Sequence, residues 1–344
     1  MLKADKKTII KVMKDNYKID KNQIVALIEK LKQSFQIVAP VKKNGEVIFK
    51  KIEEPDDIVL DCEITSMPPK EFFLPPEEKL FEEINNEINA PKPDLKPILI
   101  FGLKPDDVEA ITYMDEIMSK PTEDFYYWQR RKNSVLVVIS NEPLKAAPKC
   151  DLFLEKISEN DYRASAFTDK GKKILEIEYF KKSEEEKKRE FTEKEKSGLK
   201  KLILDSELLA DAVMWSKNHK IWDELAKKCL GCGICTYVCP LCYCFSTEDS
   251  VSLDGKKCRR CRKWDACTLP GFSQISGGHS FRSTIKERYY NWHYHKFVRA
   301  YKEYGKSQCV GCERCQKYCP AGIDIEKVLS EILEEYKKVL SSQS

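Results

Sequence analysis

The stretch Cys229-Leu230-Gly231-Cys232-Gly233-Ile234-Cys235-Thr236-Tyr237-Val238-Cys239-Pro240 returns as Cys309-Val310-Gly311-Cys312-Glu313-Arg314-Cys315-Gln316-Lys317-Tyr318-Cys319-Pro320. Both copies read Cys-x2-Cys-x2-Cys-x3-Cys-Pro. This spacing wraps three thiolates around a cubic [4Fe-4S] cluster and lends the fourth to a neighbouring cube. The pattern therefore predicts two paired cubes with crossed ligation. Cys229, Cys232, Cys235 and Cys319 hold the first, and Cys309, Cys312, Cys315 and Cys239 hold the second. Gly231, Gly233 and Gly311 keep side chains clear of inorganic sulfide and let backbone N–H groups turn toward negative charge. Zinc sites built from two Cys-x2-Cys pairs usually have no third cysteine in step, and match poorly.

Five more cysteines lie between the runs: Cys242, Cys244, Cys258, Cys261 and Cys267. Four of these suffice for a third iron-sulfur cluster, but no standard spacing selects which. Zinc on the same residues, or buried free thiols, remain open alternatives. Lys256, Lys257, Arg259, Arg260, Arg262 and Lys263 crowd this insert. Their charge would favour thiolates and raise a reduction potential, form a docking patch for an acidic partner, or simply be solvated surface. Cys62 and Cys150 stand alone in sequence and read as buried apolar residues.

Working outward, thirteen of the fifteen cysteines fall between Cys229 and Cys319, a concentration unlike a disulfide-stapled secreted domain. The opening Met-Leu-Lys-Ala-Asp-Lys-Lys leads into no apolar segment that would serve as a secretion signal or span a bilayer. The expectation is a cytoplasmic protein with no direct membrane insertion, associated with a membrane only through partners. The formal net charge of +4 is small, with lysine and glutamate interleaved, so no nucleic-acid footprint is indicated.

The 344-residue chain has room for two domains. The predicted fold class is α+β. A mixed α/β scaffold or docking domain over residues 1–200 precedes a mainly helical ferredoxin-like domain over 201–344. Helices are expected at Lys6 to Met13 and Lys21 to Phe35. A hairpin follows, with Ile37 to Val41 and Val47 to Ile52 around Asn44-Gly45. Prolines at 68, 69, 75, 76, 91, 93 and 97 enforce extended chain, broken by one helix from Pro76 to Ile88. Short apolar runs at Ile98 to Phe101, Ser134 to Ile139, Asp151 to Leu154, Arg163 to Phe167 and Lys173 to Phe180 read as strands. Helices at Asp106 to Met118 and Asp124 to Arg131 alternate with them. A charged segment, 181 to 198, marks the domain boundary. One or two helices, Leu199 to Trp222, lead into the first cysteine run, and a long helix, Thr284 to Tyr304, leads into the second.

On these residues the chain resembles the iron-sulfur β subunits of cytoplasmic sulfhydrogenases and the related iron-sulfur subunits of anaerobic sulfite reductases. The matching segments are Pro68-Pro69-Lys70-x-Phe72-Phe73-Leu74-Pro75, Gly102-Leu103-Lys104-Pro105-x-Asp107, the first run continued through Cys242-x-Cys244-Phe245, Arg262-x-Trp264-Asp265-x-Cys267, Gly277-Gly278-His279, and the second run continued to Ile323-Asp324-Ile325. The resemblance implies an electron-transfer role within a larger complex. Its implied partners are a flavin- and NAD(P)-binding oxidoreductase subunit, together with a small iron-sulfur or hydrogenase/reductase catalytic subunit. Cys242, Cys244 and Cys267 match recurrent family cysteines, which supports them as ligands. Asp106 stands where the family commonly has cysteine, and Ser140 to Pro148 contains none. The resemblance thus carries no redox role for the N-terminal domain.

Neither a nucleophilic triad nor a dinucleotide-binding glycine fingerprint is present. His279 reads either as a cluster neighbour or as a turn residue. His293 and His295, among aromatics, read as helix-packing residues with polar tips at the surface or an interface. The leading expectation is a non-catalytic relay of single electrons within a multi-subunit oxidoreductase. Two alternatives stay open: a metal-stabilised interaction scaffold without redox turnover, and a reductase with its own active site at the middle cysteines.

Overall fold

The structure, a computed structural model, describes residues 17–91, 96–142, 148–183 and 197–343. The expected helix Lys6 to Met13 lies outside them, as does most of the charged segment 181–198. Twelve strands occur among the described residues. They are β1 (Tyr17–Asp20), β2 (Gln36–Lys43), β3 (Glu46–Lys51), β4 (Glu77–Ile84), β5 (Glu87–Asn89), β6 (Ile98–Leu103), β7 (Ser134–Ser140), β8 (Leu152–Lys156), β9 (Asp161–Ala166), β10 (Lys181–Lys182), β11 (Phe245–Val251) and β12 (Lys257–Trp264).

The described residues form two compact units. One draws on 1–65, 94–109 and 132–191, the other on 66–93, 110–131 and 192–344. A single cut at residue 200 therefore does not separate them, because 66–93 and 110–131 belong with the cysteine-rich part.

The first unit is an eight-stranded mixed sheet of order β10-β1-β9-β8-β7-β6-β2-β3. Its centre, β8-β7-β6-β2, is parallel, and the flanking pairs are antiparallel. Every residue of β7 is buried, as expected of a central strand covered on both faces. The Asn44-Gly45 turn joins β2 to β3 with both residues at positive φ. Helix Lys21–Lys32 starts on an Asp20 capping box and buries Ile24, Leu27, Ile28 and Leu31 in the sheet's core. The strand expected at Lys173 to Phe180 does not form. Thr168 accepts from the Gly171 amide and starts a helix over Asp169–Leu175 instead.

The second unit contains a four-stranded antiparallel sheet, β11-β12-β4-β5, and a helical body. Here the helix expected from Pro76 to Ile88 is a hairpin. Asn85 and Asn86 both take positive φ and turn β4 into β5. The acidic strand β4 pairs with the basic strand β12, setting Glu77 opposite Lys263, Glu78 opposite Arg262 and Glu82 opposite Arg259. Cross-strand charge complementarity thus overrides the helical preference of glutamate, lysine and leucine. The basic insert is matched against acidic neighbours within this sheet, with Arg260 also holding Asp249 in β11.

The helical body comprises Gly198–Leu204, Ser206–Trp215, Ile221–Lys228, Ile285–His293, Ala300–Tyr304 and the long Ile325–Gln343. Its core includes Leu209, Val213, Trp222, Trp292, Phe297, Leu329 and Ile332. The expected helix Thr284 to Tyr304 starts on a Thr284–Glu287 capping box but widens into a π-helix over Tyr294–Arg299. No helix among the described residues is long and apolar enough to cross a membrane.

Candidate iron-sulfur centre

Both cysteine runs fold alike. Cys229 ends a helix and Cys309 lies on a loop; in each run the second cysteine also sits on the loop and a short helix carries the third, Ile234–Tyr237 in the first run and Arg314–Lys317 in the second. Each short helix begins on a left-handed residue, Gly233 (φ 79°) or Glu313 (φ 58°). A Cβ on Gly233 would come within 2.9 Å of the Ala266 Cβ, so glycine is required there on two counts. The repeat extends to the amides. Gly231 N–H donates to Cys229 Sγ and Gly311 N–H to Cys309 Sγ, each at 3.4 Å. The Leu241 amide reaches Cys239 Sγ, and the Ile323 amide Cys319 Sγ, also at 3.4 Å.

Cys229, Cys232, Cys235 and Cys319 line a single cavity together with Cys315, Thr268 and Tyr289. Burial pushes the Cys235 thiol up to about 12, and the charges of Cys229 and Cys232 act in the same direction. Cys229 is raised first by burial, opposed by the Gly231 amide, and further by Cys232 and Cys319. In the second run burial dominates again. Cys312 is pushed up to about 11, with Cys239 and Cys309 among its neighbours, and Cys315 rises well above the ordinary thiol value beside Cys309, Cys239 and Cys312. The last cysteine of each run is thus an electrostatic neighbour of the other run's leading cysteines.

This donor chemistry fits iron-sulfur cubes. Thiols crowded out of water cannot all ionise unless cations displace their protons. Sulfur-directed amides such as these stabilise a cluster's negative charge. No three Cys, His, Asp or Glu side chains among the described residues converge on a point suited to a single metal ion. A cube distributes its thiolates over four irons and needs no such point.

The five middle cysteines separate. Cys242, Cys244 and Cys267 line one cavity of ≈ 200 Å³ with Tyr243, Phe272, His295, Lys296 and Arg299. Cys244 is a hydrogen-bond partner of Cys267, which holds the Cys244 thiol below its ordinary value against burial. Cys258 and Cys261 lie instead on β12, where they sit opposite Val251 and Glu248 of β11. Cys258 is seven residues up the strand from Asp265, whose amide bonds the Cys244 carbonyl, a distance of about 23 Å at strand rise. The structure thus brings three of the five candidates together and carries Cys258 away from them. Cys62 and Cys150 are buried, with the Cys150 thiol pushed up to about 12 by burial and then by the Asp151 charge.

His279 is exposed and packs edge-on against Phe281. His293 has no surface tip: it is fully buried among Trp222, Tyr289, Trp292 and Phe297. Two residues that sequence reasoning gave no role stand at the site. Lys70 and Lys296 are both buried, and both act on Cys239 and Cys242. Lys70 was visible only as part of the Pro68-Pro69-Lys70 segment, and Lys296 only as one polar residue in an aromatic-rich helix.

The helical, cysteine-rich part contains a 4Fe-4S dicluster domain, whose family model matches residues 228–323 and so spans both cysteine runs. A curated relative, sulfhydrogenase 2 subunit beta of Pyrococcus furiosus, is 32% identical over 320 residues, covering 89% of this chain and 94% of its own length. The chain belongs to the sulfhydrogenase β-subunit family. No solved structure matches it.

Proposed function

We propose that this chain is a non-catalytic relay subunit. It passes single electrons within a cytoplasmic complex, between a flavin- and NAD(P)-binding subunit on one side and a small iron-sulfur or hydrogenase-type catalytic subunit on the other. When bound, each cube supplies one reversible electron acceptor. In this reading Cys229, Cys232, Cys235 and Cys319 hold one cube, and Cys309, Cys312, Cys315 and Cys239 hold the other. The carrying observation is the reciprocity of the two runs: Cys319 shares a cavity with Cys229, Cys232 and Cys235, while Cys239 neighbours Cys312 and Cys315. Gly231, Gly311, Leu241 and Ile323 would hold charge on the sulfurs through their amides, and the aromatic body around Tyr289 and Trp292 would exclude water.

Protein purified without oxygen tests the reading. The expected result is about eight irons and eight acid-labile sulfides per chain for the two cubes, with a broad visible band that bleaches on dithionite and returns on oxidation. A colourless, zinc-loaded protein would point to the scaffold alternative instead. The cavity shared by Cys242, Cys244 and Cys267 supports a second reading, in which a third centre sits there with three cysteine ligands. About four further irons, lost in a Cys244→Ser/Cys267→Ser protein, would establish it.

A further inference from the structure

An ammonium group removed from water is costly unless it is paired, yet the second unit buries two lysines against one turn of the first cysteine run. Lys296 is 3% exposed and Lys70 5%. The Lys296 Nζ donates to Cys239 Sγ at 3.3 Å and to the Gln308 carbonyl at 2.9 Å, immediately before Cys309. The Lys70 Nζ donates to the carbonyls of Thr236 at 3.1 Å and Cys242 at 2.8 Å. The two lysines therefore bracket the Cys239–Cys242 turn. Gln308 completes the bracket by accepting at its carbonyl and donating its side-chain amide to the Leu241 carbonyl at 2.5 Å.

Lys296 lies within the π-helix Tyr294–Arg299. His293, Lys296, Phe297 and Ala300 are buried on one face of this helix, at spacings of three and four residues. The Ala300 amide bonds the His295 carbonyl, five residues back, where the helix widens. A neutral amide could satisfy the carbonyls equally well. What the ammonium adds is positive charge against a ligand sulfur. Positive charge there stabilises the more negative, reduced state of whatever that sulfur binds.

We propose that Lys296, seconded by Lys70, acts through Cys239 to make the centre of Cys239, Cys309, Cys312 and Cys315 the more easily reduced of the pair, and so the seat of an arriving electron. The inference rests on the relay reading. The experiment begins with iron and sulfide counts on the anaerobic wild-type chain, followed by redox titration of its two cluster signals by electron paramagnetic resonance. Absence of clusters would refute the relay itself. With clusters present, Lys296→Met is expected to move the higher-potential signal downward while the lower one stays, and Lys296→Arg to leave both near wild type. Two unmoved signals, equal movement of both, or movement of the lower signal alone would overturn the assignment. If Lys296→Met does not load its clusters, Lys70→Met is titrated under the same criteria.

Discussion

Cys239 sits in the first run by sequence and beside the second run's thiols by space, and this double position makes crossed ligation testable one residue at a time. If Cys239 and Cys309 serve the same cube, Cys239→Ser/Cys309→Ser should lose about four irons, no more than either single variant. Cys239→Ser/Cys319→Ser should lose about eight. Equal losses in the two double variants would refute the crossing. Arg262 supplies a second residue-scale test. Its Nε donates to Glu78 at 2.9 Å and its Nη1 to Asp124 at 2.5 Å, and Arg130 closes on the same Glu78, whose side chain is 2% exposed. Arg262→Met leaves a buried carboxylate undercompensated and should cost about 3–5 kcal/mol in urea unfolding, largely recovered by adding Glu78→Gln. Burial pushes the Asp124 carboxyl up, but hydrogen bonds from Arg262 and the Tyr127 amide outweigh it and hold the group below its ordinary value. Its contribution is therefore present above the unfolded value of about 3.9 and is lost as pH falls through the lower folded one. At this scale the repeated cysteines were legible as candidate ligands because their spacing is the one that paired [4Fe-4S] ligation uses. Lys70 and Lys296 were not, because a lysine's burial depends on distant segments: Lys70 meets carbonyls more than 160 positions away.

At the scale of elements, local signals succeeded where local physics decides. The Asn44-Gly45 hairpin, the β7 run and the Thr284 capping box follow from turn chemistry, apolar continuity and capping residues. They failed at β4, where Glu77–Ile84 has helical composition and becomes a strand because a basic strand, distant in sequence, lies opposite. They failed again within Tyr294–Arg299, since a π-turn has no periodic signature. That aromatic helix carries a pH prediction. The His293 Nδ1 bonds the Tyr289 carbonyl at 3.1 Å, while Nε2 is buried with no hydrogen-bond partner among the described residues. Burial pushes the imidazole down to about 4, so it folds neutral. A group depressed below its unfolded value of about 6.5 contributes stability above that pH and loses it as pH falls toward the folded value. Between pH 7 and pH 5 the loss should be about 2 kcal/mol. His293→Phe should flatten the pH dependence of the urea midpoint by that amount, with the visible band monitored to confirm intact clusters. An unchanged slope would show that the imidazole titrates normally.

On the scale of the whole molecule, the sequence anticipated a sheet-bearing N-terminal part and a helical cysteine-rich part, but it could not anticipate that the chain contributes to the second unit three times. In sequence, proline-rich 66–93 reads as extended chain broken by a helix, and only pairing with β12 makes it part of the sheet beside the cysteines. The two units also differ in what holds them together. The first has a continuous apolar core around Leu27, Phe101, Val137 and Leu154. In the second, the partly buried Cys229, Cys235, Cys309, Cys315 and Cys319 pack against the Trp222, Trp292 and Leu329 core. If those thiols surround iron-sulfur cubes, the clusters are part of that core, and removing them leaves mutually repelling or protonated thiols around empty space. Iron chelation under anaerobic, reducing conditions should therefore unfold the second unit selectively. Hydrogen exchange read by segment should show protection collapsing across Gly198–Leu204, Ile221–Lys228 and Ile325–Gln343, while β6 and β7 of the first unit stay protected. The β4–β12 pairing provides the sharper reading, because β4 is adjacent in sequence to chain that belongs with the first unit. Protection of β4 should fall with the helices if the spatial division governs stability. If β4 instead holds with β6 and β7, or if all segments lose protection together, the cysteine-rich unit does not depend on its clusters in the way its core implies.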